Sequence, residues 1–148
     1  MSDKLSRFIN FETPGPVAAA FMRSPKPIKF IMGPFGSAKT TTCIATLLKN
    51  SMKVPRSPVD GVARAKSVVI RDTYPNLEAN TLASFFQWMP KQGEMPGVTM
   101  RGGTGNTPGF YEIKTEILDK RKRERVPFVW SVEFRAIGDH NAKTFCDG

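Results

Sequence analysis

Histidine and cysteine are scarce in this chain of 148 residues: His140 stands alone, and Cys43 and Cys146 are the two thiols. One imidazole leaves little material for a histidine-based triad or a zinc site. The two cysteines give neither metal-ligand spacing nor a disulfide framework. Cys43 falls on the apolar side of an expected helix and reads as a small buried residue. Long apolar runs are missing too, so no stretch approaches the roughly 20 residues that span a bilayer. The opening residues, Met1-Ser2-Asp3-Lys4-Leu5-Ser6-Arg7, lack the apolar core of a signal peptide. No membrane association is expected, and the compartment reads as cytoplasmic. Acidic side chains are the third deficit. Thirteen Asp and Glu face 22 Lys and Arg, a net charge of +9 with an isoelectric point near 9.9. Such an excess points to a polyanionic partner, nucleic acid first among them. The length allows one domain with a real core.

One glycine-rich stretch stands out, expected to be a phosphate-binding loop, with a glycine turn that happens to precede Lys-Thr as the other reading. Residues 33 to 40 read Gly-Pro-Phe-Gly-Ser-Ala-Lys-Thr. The template is Gly, four residues, then Gly-Lys-Ser/Thr, so Gly33, Lys39 and Thr40 are in register and Ala38 replaces the second glycine. Small residues let successive N–H groups curl around a phosphate, and the following helix aims its positive end at the same point. Gly33, Pro34, Phe35, Gly36, Ser37, Ala38, Lys39, Thr40 and Thr41 are the expected nucleotide contacts. Lys39 would neutralise the β and γ phosphates of ATP, and the Thr40 hydroxyl would ligate Mg²⁺. If position 38 demands a positive φ, alanine is strained there. The flanks fit the motif. Ile28 to Met32 reads as a strand, and Cys43, Ile44, Leu47 and Leu48 form one helical stripe over Thr40 to Lys49.

Elsewhere the pattern is less uniform. Residues 10 to 27 carry five Pro and Gly around a short helix at Val17 to Met22. Residues 50 to 66 read as a long surface loop. Ser67 to Arg71 has the continuous apolar centre of a strand buried on both faces. Thr73-Tyr74-Pro75 opens a helix whose Leu82, Phe85, Phe86 and Met89 point to the core, and Pro90 stops it. Residues 91 to 109, rich in Gly and Pro, read as a loop without packed structure. Tyr111, Ile113 and Ile117, then Phe128, Trp130, Val132, Phe134 and Ala136, alternate as the two strands of a hairpin. Its connection, Asp119 to Arg125, is the densest basic cluster. It serves either as a solvated tip or as a nucleic-acid contact.

Four stretches together resemble the large terminase subunit of tailed bacteriophages, the ATPase that pumps DNA into a procapsid. Phe11-Glu12-Thr13-Pro14-Gly15-Pro16-Val17 to Ser24 is similar to the family's segment on the adenine side. Gly33 to Thr40 is similar to its Walker A loop. Val68 to Tyr74, continuing through Thr81-Leu82 to Trp88-Met89-Pro90, is similar to its strand, Arg-x-Thr-Tyr turn and helix. Glu133 to Asp139 is similar to the segment shortly before Walker B. Many members carry an arginine within the loop, where this chain has Phe35. Arg71 is then the local candidate for a catalytic arginine, with an ion pair or helix cap as its other role.

The resemblance implies a three-layer α/β P-loop domain with a mainly parallel sheet and an antiparallel hairpin, incomplete on its C-terminal side. It further implies an N-terminal piece of a longer protein, with the Walker B half and nuclease domain absent. ATP and Mg²⁺ would be its cofactors. Its partners would be double-stranded DNA and, in the full-length protein, a portal, a small terminase subunit and other copies of itself. The alternatives are another P-loop NTPase, helicase or kinase-like, and a non-catalytic fragment that only binds nucleotide or DNA.

Overall fold

The computed structural model describes residues 3–34, 36–102, 108–119 and 122–137. Phe35, Lys120, Arg121, Gly138, Asp139, His140 and Cys146 lie outside them. The elements run α1 (Asp3–Ile9), α2 (Pro16–Arg23), α3 (Lys39–Ser51), β1 (Ala63–Arg71), α4 (Tyr74–Asn76), a π-helical stretch (Leu77–Leu82), α5 (Ala83–Trp88), β2 (Val98–Arg101), β3 (Phe110–Asp119) and β4 (Glu124–Ala136). The sheet order is β1-β4-β3-β2. The protein is α/β with a mixed sheet: β1 pairs with β4 in parallel, whereas β2–β3 and β3–β4 are antiparallel.

That arrangement corrects the expected mainly parallel sheet. The expected hairpin is present, with Asp119 opposite Glu124 and Ile113 opposite Trp130. A hairpin forces antiparallel neighbours, and β2 adds a further one. β2 also corrects the reading of residues 91 to 109 as wholly without packed structure. Gly97 makes that pairing possible. Its φ is +87°, and a Cβ there would lie 2.5 Å from the Lys114 carbonyl oxygen, while Lys114 N–H donates to the Gly97 carbonyl at 2.9 Å. No side chain larger than hydrogen fits.

Described helices pack on one face of the sheet, so the described residues form two layers rather than three. Phe85 is the hub. Its ring meets Tyr111 edge-on at 4.9 Å and Phe134 at 5.2 Å, geometry favoured by the ring quadrupoles. Phe8 of α1 stacks on Trp88 at 5.5 Å. Two polar tips in this core are satisfied. Trp130 Nε1–H donates to Ser67 Oγ at 3.0 Å, and the Tyr111 hydroxyl donates to the Pro90 carbonyl at 2.7 Å. Burial pushes the Tyr111 phenol well above its ordinary pKa. α1 itself went unread in the sequence, although Leu5, Phe8 and Ile9 hold helical spacing and the first two are buried.

β1 begins at Ala63, earlier than expected, and alternates instead of being buried on both faces. Ala63 and Ser67 face the core, while Arg64, Lys66, Val68 and Ile70 are exposed. With helices on one side only, the other face of the strand meets water. Ile28 to Met32 is not a strand, which corrects another expectation. The segment lies against α2, where Lys29 Nζ donates to the Phe21 carbonyl at 3.2 Å. Phe30 and Met32 stay 89% and 88% exposed. A strand needs a hydrogen-bonded neighbour, and the sheet contains no strand beside this segment.

The second helical region starts as its sequence indicates. Thr73 is the N-cap and accepts from the Asn76 N–H at 3.4 Å, with Pro75 in the first turn. At its other end Met89 is extended at φ −95° and ψ 139°, as the residue before Pro90 must be.

Candidate nucleotide-binding site

The loop is shaped by backbone conformation before any side chain acts. Gly36 has φ +75°, and Ala38 has φ 56° and ψ 27°. Both are left-handed. Position 38 thus demands the geometry that glycine tolerates best, and alanine pays about 1–2 kcal/mol to adopt it. Ala38 is also the N-cap of α3, with no side-chain hydrogen bond to offer. The first intrahelical bond runs from Thr42 N–H to the Ala38 carbonyl at 2.9 Å. Among the described residues, the amides of Thr40 and Thr41 donate to no protein acceptor. They are the unpaired donors at the positive end of a 13-residue helix whose first turn carries no acid.

α3 is fixed by its core face. Ile44, Ala45 and Leu48 are buried, while Cys43 and Leu47 of the expected stripe are only half-buried. Burial still raises the Cys43 thiol pKa. Thr46 Oγ1 donates to the Thr42 carbonyl at 2.7 Å, the local bond a mid-helix threonine commonly makes.

Lys39 folds back over the loop. Its Nζ donates to the Gly33 carbonyl at 2.7 Å, to the Pro34 carbonyl at 2.6 Å and to Ser37 Oγ at 3.1 Å. Ser37 Oγ in turn donates to the Pro34 carbonyl at 2.8 Å. Gly33, Pro34, Ser37 and Lys39 are therefore joined in one hydrogen-bonded group. Ser37 is more than a small loop residue, a role that spacing alone did not reveal. Thr40 is half-buried beside them at the first turn of α3.

Arg71 is not joined to this group. It ends β1, its carbonyl accepts from Ile137 N–H at 2.9 Å, and its Nε lies 3.8 Å from Asp72 Oδ1. The Asn76 side-chain amide, more than Arg71, holds the Asp72 carboxyl below its ordinary pKa. Arg71 Nε is buried and has no hydrogen-bond partner among the described residues, and no described hydrogen bond or ion pair links Arg71 to the loop. Phe11, on the expected adenine side, packs edge-on against Trp88 at 5.5 Å.

Among the described residues no group of three or more His, Cys, Asp and Glu side chains could hold a metal ion. Mg²⁺ seldom needs such a cage when phosphates and water complete its shell. The Thr40 hydroxyl stands at the first turn of α3 and would fit that use if a phosphate bound at this helix start.

The αL alanine gives a direct prediction. Ala38→Gly relieves the strain but adds chain entropy to the unfolded state. The balance should favour the variant by about 0.5–1 kcal/mol. Urea unfolding would show a higher midpoint at unchanged slope; a lower midpoint would mean that Ala38 is not strained.

No protein-family model, curated protein or solved structure matches the chain.

Proposed function

We propose that Gly33 to Thr41 binds the phosphates of Mg·ATP, and that the chain is the ATP-binding part of a viral DNA-packaging motor of the large-terminase type. The supporting observation is the placement of one ammonium. Lys39 Nζ is held on the carbonyls of Gly33 and Pro34, at the mouth of a helix whose Thr40 and Thr41 amides are unpaired. A phosphate placed there meets a charge, backbone donors and a helix dipole together. The amides from Gly36 to Thr41 orient it, and Lys39 neutralises the β and γ oxygens. Mg²⁺ bound through Thr40 would supply charge neutralisation to phosphoryl transfer onto water. The terminase assignment rests on the four sequence stretches. It carries with it double-stranded DNA as the track, portal and small subunit as partners of the full-length protein, and the host cytoplasm as the compartment.

Calorimetric titration of the purified chain with Mg·ATP tests the binding step. Saturable one-to-one binding, competed by tripolyphosphate, is expected. Absence of saturation at millimolar nucleotide would reject the site. A parallel phosphate-release assay separates an ATPase from a fragment that only binds.

A further inference from the structure

We infer that Ser37 is a positioning residue that aims Lys39 at the incoming phosphate, an inference that rests on the phosphate-loop reading above. An ammonium has three protons. Here all three are engaged: by the carbonyls of Gly33 and Pro34 at 2.7 and 2.6 Å, and by Ser37 Oγ at 3.1 Å. The two carbonyls belong to the start of the loop and tie Lys39 to its backbone. The third partner differs in kind. It is a side-chain hydroxyl at the longest of the three distances, whose bond is kept when a phosphate oxygen takes over the proton given to one of the carbonyls, so it is the contact that directs the ammonium both before and after the ligand arrives.

Ser37 can hold that proton in a fixed direction because its own hydrogen is committed. The hydroxyl donates to the Pro34 carbonyl at 2.8 Å, which leaves a lone pair for the ammonium. The Pro34 carbonyl thus accepts from both Ser37 and Lys39 and locks the two side chains to one atom. The first loop position is shaped around the same arrangement. A Cβ on Gly33 would lie 3.0 Å from Ser37 Oγ and 3.8 Å from Lys39 Cδ. Lysine has a flexible four-carbon stem. Fixing that stem before the ligand arrives removes part of the ordering cost from binding. Ser37 acts through Lys39 and need not touch the phosphate itself.

A double-mutant cycle on the whole 148-residue chain tests this, with tripolyphosphate as the probe so that no base or ribose contact intervenes. Ser37→Ala should weaken binding about tenfold. Ser37→Thr, which keeps the hydroxyl, should stay within about twofold of the wild type. In a Lys39→Ala background, Ser37→Ala should have no further effect. Thermal melting should be alike for all, because Gly33 and Pro34 are exposed and Ser37 and Lys39 only half-buried. Wild-type affinity in Ser37→Ala, or an equal loss with and without Lys39, would overturn the positioning role while leaving the phosphate loop standing. Unchanged affinity in Lys39→Ala alone would overturn both.

Discussion

Lys39→Ala should weaken Mg·ATP binding by about a hundredfold while leaving the fold intact. A charge-assisted hydrogen bond contributes roughly 1.5–3 kcal/mol, and about 2.7 kcal/mol is a factor of a hundred in affinity. Lys39 Nζ already sits within 2.7 Å of two loop carbonyls, so a phosphate meets a charge that is largely pre-placed. The stability side is small for a separate reason. Gly33 and Pro34 are exposed, so water can replace the ammonium on their carbonyls. Lys39→Arg should not restore binding. A planar guanidinium keeps the charge but cannot direct three donors onto two carbonyls and a hydroxyl clustered around one point. Calorimetry with Mg·ATP, beside thermal melting of both variants, reads the two quantities independently. An alanine variant that binds ATP like the wild type would remove Lys39 from any phosphate site.

The loop's form, a glycine turn leading into a helix, was legible because the loop is a local object. Gly33, Gly36, Lys39 and Thr40 lie within one turn and the start of one helix, and spacing in the chain carries over to spacing in the fold. The same holds for the Thr73 cap, Pro75, and the alternation of β3 and β4. What was not legible depends on neighbours distant in sequence. Ile28 to Met32 has strand-like composition, but composition supplies no hydrogen-bonded partner, and the segment remains unpaired against α2. β2 has the opposite history. Four residues in a Gly-rich stretch become a strand because β3 offers an edge and Gly97 permits the approach. The apolar run of β1 suggested burial on both sides, whereas Val68 and Ile70 stay about half exposed at 45% and 43%. Whether helices cover one face or two is a property of the whole fold. Ser37 was hidden for a subtler reason: its role lies in hydrogen-bond direction, which no residue pattern encodes.

DNA binding should be sequence-independent, weak and steeply salt-dependent, with the β3–β4 tip as a principal contact. Lys122, Arg123 and Arg125 are exposed there. The fold adds a cation that sequence order keeps apart, since Arg56 Nη2 reaches Glu124 Oε2 at 2.9 Å. That pairing offsets one of the tip's acids. Lys120 and Arg121 belong to the same cluster by sequence and lie outside the described residues. Each phosphate neutralised releases counterions, so the logarithm of affinity falls with the logarithm of salt at about 0.9 per contact. Four contacts then give a loss of about a hundredfold between 50 and 200 mM salt. Replacing Lys120, Arg121, Lys122 and Arg123 with serine should lower affinity at 50 mM salt and flatten that slope by as much as about 3.6. Arg56→Ser should deepen the loss, because it leaves Glu124 without its partner beside the DNA. These side chains are at the surface, so melting temperature should hardly move. Fluorescence anisotropy with a duplex of arbitrary sequence, repeated across the salt series, supplies both readings. An unchanged slope in the fourfold variant would make the tip a solvated turn. The cations on the uncovered sheet face, Arg64, Lys66, Lys114 and Arg135, would then be the next to substitute. Lys66 and Arg135 share Glu133 at 2.6 and 3.2 Å, and Lys114 faces Glu112 at 3.6 Å. Charges paired in this way release fewer counterions per contact than the tip, so a shallow slope is the signature expected of that face.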